Sequence, residues 1–222
     1  MEKNKFKGLY PLILVIFAIT ASSFQMISNP KNADAATETV SLIRQSCSGY
    51  SNCYNSLSSW EANYGGINFG ACTKGDLVCA SKIAVAKIDG AWTNPDATPV
   101  VIDGWNTGAN NYIKIYTAPE ARHNGKWNEN RYRLAYAGRA IKNIEPYTKI
   151  DGIQIDGKKS PSQNILSYQD NVEISNSIFK NGGTALYLSG KNVKVRNSYV
   201  YDSTEGLRFT GSNGSFYNNT FA

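Results

Sequence analysis

The C-terminal part of this chain repeats every 21 residues. Asn171-Val172-Glu173-Ile174-Ser175-Asn176-Ser177 returns as Asn192-Val193-Lys194-Val195-Arg196-Asn197-Ser198, and a third copy starts at Asn213 and carries Phe216, Asn218 and Phe221. A period near 20 that links short alternating segments through Asn/Gly turns confines a chain to a stacked solenoid. Aligned, the copies sort by chemistry. Ile174, Val195 and Phe216 form one column, and Phe179, Val200 and Phe221 another; Leu186 falls with Leu207, and Leu188 with Phe209. Polar or variable residues alternate with them (Glu173/Lys194/Ser215, Ser175/Arg196/Tyr217, Tyr187/Arg208), the pattern of strands with one buried face. One coil cannot bury its apolar face alone, whereas stacked coils can, with strands roughly 4.8 Å apart.

Asn176, Asn197 and Asn218 recur at one corner of each coil, where side-chain amides can pass from one coil to the next as a ladder. Upstream, Tyr147 to Ile155 matches the later strands if about three residues are inserted around Gly157–Pro161, which places Ile150 with Ile174 and Gly152 at the Asn corner. Tyr112 to Tyr116 and Tyr132 to Tyr136 alternate in the same way, with a polar loop at 117–131 between them. Loops of that length are functional or mobile more often than not. The asparagine column within a stacked-strand repeat resembles the right-handed parallel β-helix family. The expected fold is therefore all-β, a right-handed parallel β-helix solenoid with an N-terminal cap containing a short helix. The cap helix is expected at Leu57–Asn63, with Ser58 as N-cap and Glu61 completing a capping box. The segments around Trp60, Lys82–Trp92, Val100–Trp105 and Tyr112–Trp127 also resemble the N-terminal leader of β-helix proteins common in bacterial and phage sequences, a pattern without an assigned activity.

The chain opens with Lys3, Lys5 and Lys7 and an apolar run from Leu9 to Ala21, which reads as an export segment over 1–35. Cleavage is expected before Ala36 or near Ala21-Ser22-Ser23, with an uncleaved anchor as the alternative. Removing residues 1–35 takes away four Lys and two acids and leaves +4 of the formal +6. That is too mild for a nucleic-acid binder and suits a basic surface or an anionic polymer. Cys47, Cys53, Cys72 and Cys79 cluster outside the repeats. In an exported chain they predict two disulfides, with three pairings open. Zinc fits poorly, because no C-x2-C pair exists and the lone His123 is remote. The expected organisation is an export segment (1–35), a cap with the cysteine cluster (36–105), and coils (106–222). The last coil lacks a polar closing unit, so further coils or a C-terminal module are expected beyond it. The expected location is secreted or on the cell surface, with no membrane contact apart from the export segment.

Resemblance to β-helix enzymes such as pectate lyases, polygalacturonases and epimerases implies acidic polysaccharide as substrate. It also implies a base with Ca2+ held by stacked outward carboxylates for a lyase, or two carboxylates about 5–9.5 Å apart for a hydrolase. No column carries two acids: Glu173 stacks on Lys194, Asp202 on Asn181, Glu205 on Thr184, and Asp151 on Ser175 and Arg196. No catalytic residue or cofactor is assignable, and Ca2+ belongs only to the lyase reading. A binding role has better candidates. Tyr187, Arg208, Lys194 and Arg196 put rings and cations on lateral faces, and Trp127 lies in the long loop. Such groups take sugar faces and uronate carboxylates. The leading expectation is a protein that binds or processes polysaccharide. The alternatives are a structural or adhesive solenoid, and a degenerate lyase whose active coil lies past residue 222.

Overall fold

A computed structural model describes residues 35–222; the export segment expected over 1–35 lies outside the described residues except for Ala35. Among the described residues no helix is long and apolar enough to cross a membrane. The described residues are mostly β, with two short α-helices and two large sheets in which every pairing is parallel.

The repeat columns set the register. Ile150, Ile174, Val195 and Phe216 stand side by side on four successive strands of the first sheet. On the second sheet Ile155, Phe179, Val200 and Phe221 do the same. Alternation explains the burial. Ile174 and Val195 are buried, whereas Lys194 and Arg196 on either side of Val195 are not. Burying a branched aliphatic side chain contributes about 1.5–3 kcal/mol. Each added coil therefore supplies the apolar cover its neighbour lacks, and one core cluster runs from Ile43 to Val200. From Val100 onward each coil contributes strands to both sheets, whereas the strands before it lie in the first sheet.

Three corners per coil carry a left-handed residue, at Asn171, Asn176 and Asn181 in one coil and at Asn192, Asn197 and Asp202 in the next. Asn and Asp tolerate this conformation better than other L-residues. Gly152 takes the same corner one coil earlier (φ 78°), as the alignment placed it. A side chain there would meet the Arg122 guanidinium at 2.5 Å, so only glycine leaves room for Arg122. The three inserted residues are absorbed as expected. The pairing offset is 24 at Lys180↔Asp156 and returns to 21 at Thr184↔Gln163. Asn197 Nδ2 donates to Asn176 Oδ1 at 3.2 Å, and Asn192 repeats this toward Asn171 at another corner. Asn218 shares the backbone conformation, but the neighbouring Asn219 spans the coils, accepting from Ser198 N and donating to Val195 O. A buried serine column lies beneath: Ser177 Oγ accepts from Ile153 N, and Ser198 Oγ from Ser177 N. These hydroxyls satisfy backbone groups at the inward bend, as buried polar groups require.

Parallel pairing begins earlier than the repeat reveals. Thr37–Ile43 pairs with Lys82–Ile88, which pairs with Ile113–Thr117 in the same sheet, and Val100–Ile102 pairs with Ile141–Asn143 across the 105/106 boundary. The helix is Leu57–Ala62, and its N-cap is Ser56, not Ser58. The capping box closes through Ser59, while Glu61 instead accepts from Asp103 N and Trp105 Nε1. The 132–136 segment does not alternate: Tyr132, Arg133, Leu134 and Ala135 are all buried, and only Leu134–Ala135 is strand.

The cysteines pair as neighbours, Cys47–Cys53 and Cys72–Cys79, and no free cysteine is present among the described residues. These bonds fit an oxidising compartment. Both loops are short, so loop-closure entropy assigns each bond about 2 kcal/mol. The Cys47→Ala/Cys53→Ala variant should lower the urea midpoint by the corresponding amount in equilibrium unfolding. An unchanged midpoint would show that this loop is ordered without its bond.

Candidate groove on the first sheet

The outward residues of the first sheet form two columns. One runs Lys114, Lys149, Glu173, Lys194, Ser215; the other Tyr116, Asp151, Ser175, Arg196, Tyr217. Lys114, Lys149 and Glu173 of the first column and Tyr116, Asp151, Ser175 and Arg196 of the second, with Tyr112, line a groove of about 520 Å³, which meets a second depression of about 290 Å³, reaching Lys194, at Lys149 and Glu173. The ammonium of Lys149 lies 3.6 Å from the centre of the Tyr112 ring, and Lys114 stands 5.1 Å over Tyr116. These cation–π contacts hold both lysines along the groove; Lys114 is also ion-paired with Glu38 at 3.1 Å. Arg196 donates through Nε and Nη2 to Glu173 at 3.1 and 2.9 Å, and this bond raises its already high pKa.

The 118–131 loop folds back beside this groove. Arg122 reaches Asp151 at 2.7 Å, and the same carboxylate accepts from Ser175 Oγ at 2.7 Å and Asn176 Nδ2 at 2.5 Å. Burial pushes the Asp151 carboxyl up, but the hydrogen bonds from Arg122, Asn176 and Ser175 and the Arg122 charge outweigh it, and the net direction is down. Asp151 is thus an ionised anchor with its oxygens taken, unsuited to proton transfer. Its depressed folded value means that the latch contributes stability at pH above about 3.9, lost as pH falls through the lower folded value. Asp151→Ala should therefore increase tryptic cleavage after Arg122 and Lys126 at neutral pH by about tenfold, since a charge-assisted hydrogen bond is worth about 1.5–3 kcal/mol. Limited proteolysis followed by mass spectrometry reads this directly, and an unchanged rate would show that other contacts hold the loop.

His123 is half-buried. Gly125 N–H donates to its Nδ1 at 3.1 Å, so Nε2 carries the hydrogen and donates to the Asn176 carbonyl at 2.9 Å. Trp127 also folds back, with Lys180 Nζ 3.9 Å over its ring and its indole N–H on Glu129 at 2.5 Å. Gln154 fixes the end of the loop by accepting from Asn128 N and donating to the Asn128 and Tyr132 carbonyls.

The five binding candidates separate into three places. Lys194 and Arg196 lie on the groove side of the first sheet. Trp127 joins Lys180 on the first arm of the second sheet, next to the stacked rings of Tyr199 and Tyr201 (5.1 Å). Burial raises the Tyr201 phenol to about 12, which keeps it protonated. Tyr187 and Arg208 stand in register on the other arm, where Arg208 is paired to Glu205 at 2.8 Å and Tyr168 packs edge-on against Tyr187. Leu166 continues their column but is buried. Sequence reasoning missed Tyr112, Lys114, Tyr116 and Lys149 as site residues. Their alternation was visible, but their offset of 35 residues across the loop hid that Lys114 and Lys149 are neighbours.

The carboxylates in the groove are engaged, Asp151 with Arg122 and Glu173 with Arg196. The Ca2+ implied by the lyase resemblance finds no group of three His, Cys, Asp or Glu side chains among the described residues able to hold it. Compared with protein-family models, curated proteins and solved structures, the chain matches none.

Proposed function

We infer that this chain is an exported right-handed parallel β-helix of pectate-lyase-like type that binds anionic polysaccharide along its first sheet. The observation that carries this reading is the groove in which Lys149 and Lys114 lie against Tyr112 and Tyr116, with Lys194 and Arg196 together on a strand two places beyond that of Lys149. The Tyr112 and Tyr116 rings at one end of the groove suit the apolar faces of sugars, and the cations on the following strands suit their carboxylates. The strand-paired coils, the asparagine corners and the disulfides support the β-helix and export parts of the reading.

The test is retention on immobilised polygalacturonate or alginate against neutral dextran, with and without Ca2+. The protein should be held by the uronates and released by salt, as screened ionic contacts are. Lys149→Ala with Tyr112→Ala should weaken retention by about tenfold or more, because a desolvated cation–π pair and its ionic contact together exceed about 1.4 kcal/mol. Retention unchanged by both substitutions would defeat the reading. A structural or adhesive solenoid is the second reading. It is favoured by the pairing of Arg122, Arg196 and Arg208, each already occupied by a carboxylate of this chain. Failure of every uronate to retain the protein would favour it, and release of unsaturated sugars would instead place the chain among lyases.

A further inference from the structure

The chain has three Asn-Gly pairs, at Asn124, Asn181 and Asn213, and their surroundings differ. Asn-Gly is the dipeptide in which the following backbone nitrogen most easily reaches the asparagine Cγ, because glycine carries no Cβ to obstruct it. Asn181 is restrained: its Nδ2 donates to Asp156 at 3.0 Å, Gly182 is buried, and the Gly182 N–H donates to Ser203 Oγ at 3.2 Å. Asn213 and Gly214 are exposed, but no side-chain acceptor binds the Gly214 N–H among the described residues, and the Phe216 and Phe209 rings crowd that glycine.

Asn124 is different. Asn124 and Gly125 are both exposed, and Gly125 has φ 90° with open space around it. Its N–H donates to Nδ1 of His123 at 3.1 Å, the ring nitrogen that carries the free lone pair because Nε2–H is directed to the Asn176 carbonyl at 2.9 Å. The geometry points to Asn124 as a self-modification site, at which His123 is the general base for conversion of the asparagine to aspartate and isoaspartate. Nδ1 takes the Gly125 amide proton as that nitrogen attacks Asn124 Cγ and closes a five-membered imide. The imidazolium returns the proton to the departing Nδ2, which leaves as ammonia. Water then opens the imide at either carbonyl. The balance is asparagine plus water giving aspartate or isoaspartate plus ammonia, with no oxidant or other reactant.

His123 is held in the form this chemistry needs. Its burial and the Arg122 charge push its pKa below the ordinary value, against the opposing Asn176 carbonyl and Asp151 carboxylate. It is therefore neutral above about pH 6.5. The product adds a negative charge between Arg122 and Lys126, and isoaspartate also lengthens the backbone of the latch loop.

The test is peptide mapping of the folded protein incubated at neutral pH, with isoaspartate and aspartate quantified at all three pairs. Asn124 should convert about tenfold or more faster than Asn213, the scale of modest general-base assistance, and Asn181 should convert slowest. In the reduced, urea-unfolded chain the three rates should converge. His123→Ala should bring the Asn124 rate down to that of Asn213, while an unchanged Asn213 rate reports that the coils are intact. Should that variant misfold, the wild-type profile decides. Between about pH 6.5 and 7.5 the Asn124 rate should be nearly level, because the base is already neutral, whereas the Asn213 rate should climb with hydroxide. Equal rates at Asn124 and Asn213 in the folded protein, an Asn124 rate indifferent to His123→Ala, or a parallel climb of both sites with pH would overturn the assignment.

Discussion

Ile174→Asp is expected to abolish the cooperative unfolding transition of the described chain. Ile174 is fully buried between Ile150 and Val195 on adjoining strands, with no cation in the core cluster to pair a carboxylate. An unpaired buried charge carries a penalty of several kcal/mol even after relaxation. A domain has only about 5–15 kcal/mol to lose. Ile174→Val at the same position removes one methylene and should lower stability by only about 0.5–1.5 kcal/mol. Thermal melts followed by circular dichroism separate the two outcomes. A folded Ile174→Asp protein with a near-native melt would mean that this column is open to water.

Gly190→Val should have an effect nearly as large, for a different reason. Gly190 lies where consecutive coils touch through their backbones: an added Cβ would stand 1.8 Å from the carbonyl oxygen of Gln169, and one on Gly211 would stand 1.9 Å from that of Gly190. Those atoms are main chain and cannot rotate aside. The coils would have to part, weakening the Ser189 N to Ser167 O and Lys191 N to Asp170 bonds on either side. Overpacking together with lost hydrogen bonds comes to about 3 kcal/mol or more. Urea unfolding should show a lower midpoint, and a midpoint within error of wild type would contradict this close approach.

The fold was legible where chemistry recurs at fixed spacing. Ile174 over Val195, the three-residue insertion after Asp156 and the glycine at corner 152 could all be read because a stack repeats its environment, so side chains of one kind return to one place. What escaped depended on long-range partners. The helix starts at Leu57 because Ser56 caps it through Ser59, and Asp96 supports that start by accepting the Leu57 N–H at 3.0 Å from 39 residues away, a contact without a local signature. The groove escaped for a related reason. Lys114 and Lys149 are neighbours across a folded-back loop of irregular length, so the 21-residue period does not connect them. Of the binding candidates Tyr187, Arg208, Lys194, Arg196 and Trp127, the first four stand on outward strand positions, while Trp127 folds back against Lys180. Sequence could not show that they stand in three places, or that Arg196 and Arg208 already hold carboxylates. The Ser177/Ser198 column repeats with the period, but its interior ladder depends on backbone groups of the next coil that the period does not identify.

Nitroxide labels at Glu173 and Lys194, compared with labels at Glu173 and Ser215, probe the stacking that builds both the core and the groove. The first pair should lie one strand spacing apart and the second two, roughly 4.8 and 10 Å between backbones, giving strong dipolar broadening that weakens from the first pair to the second. Absence of broadening for Glu173 and Lys194, or a stronger signal for the wider pair, would mean that residue 194 does not sit over residue 173.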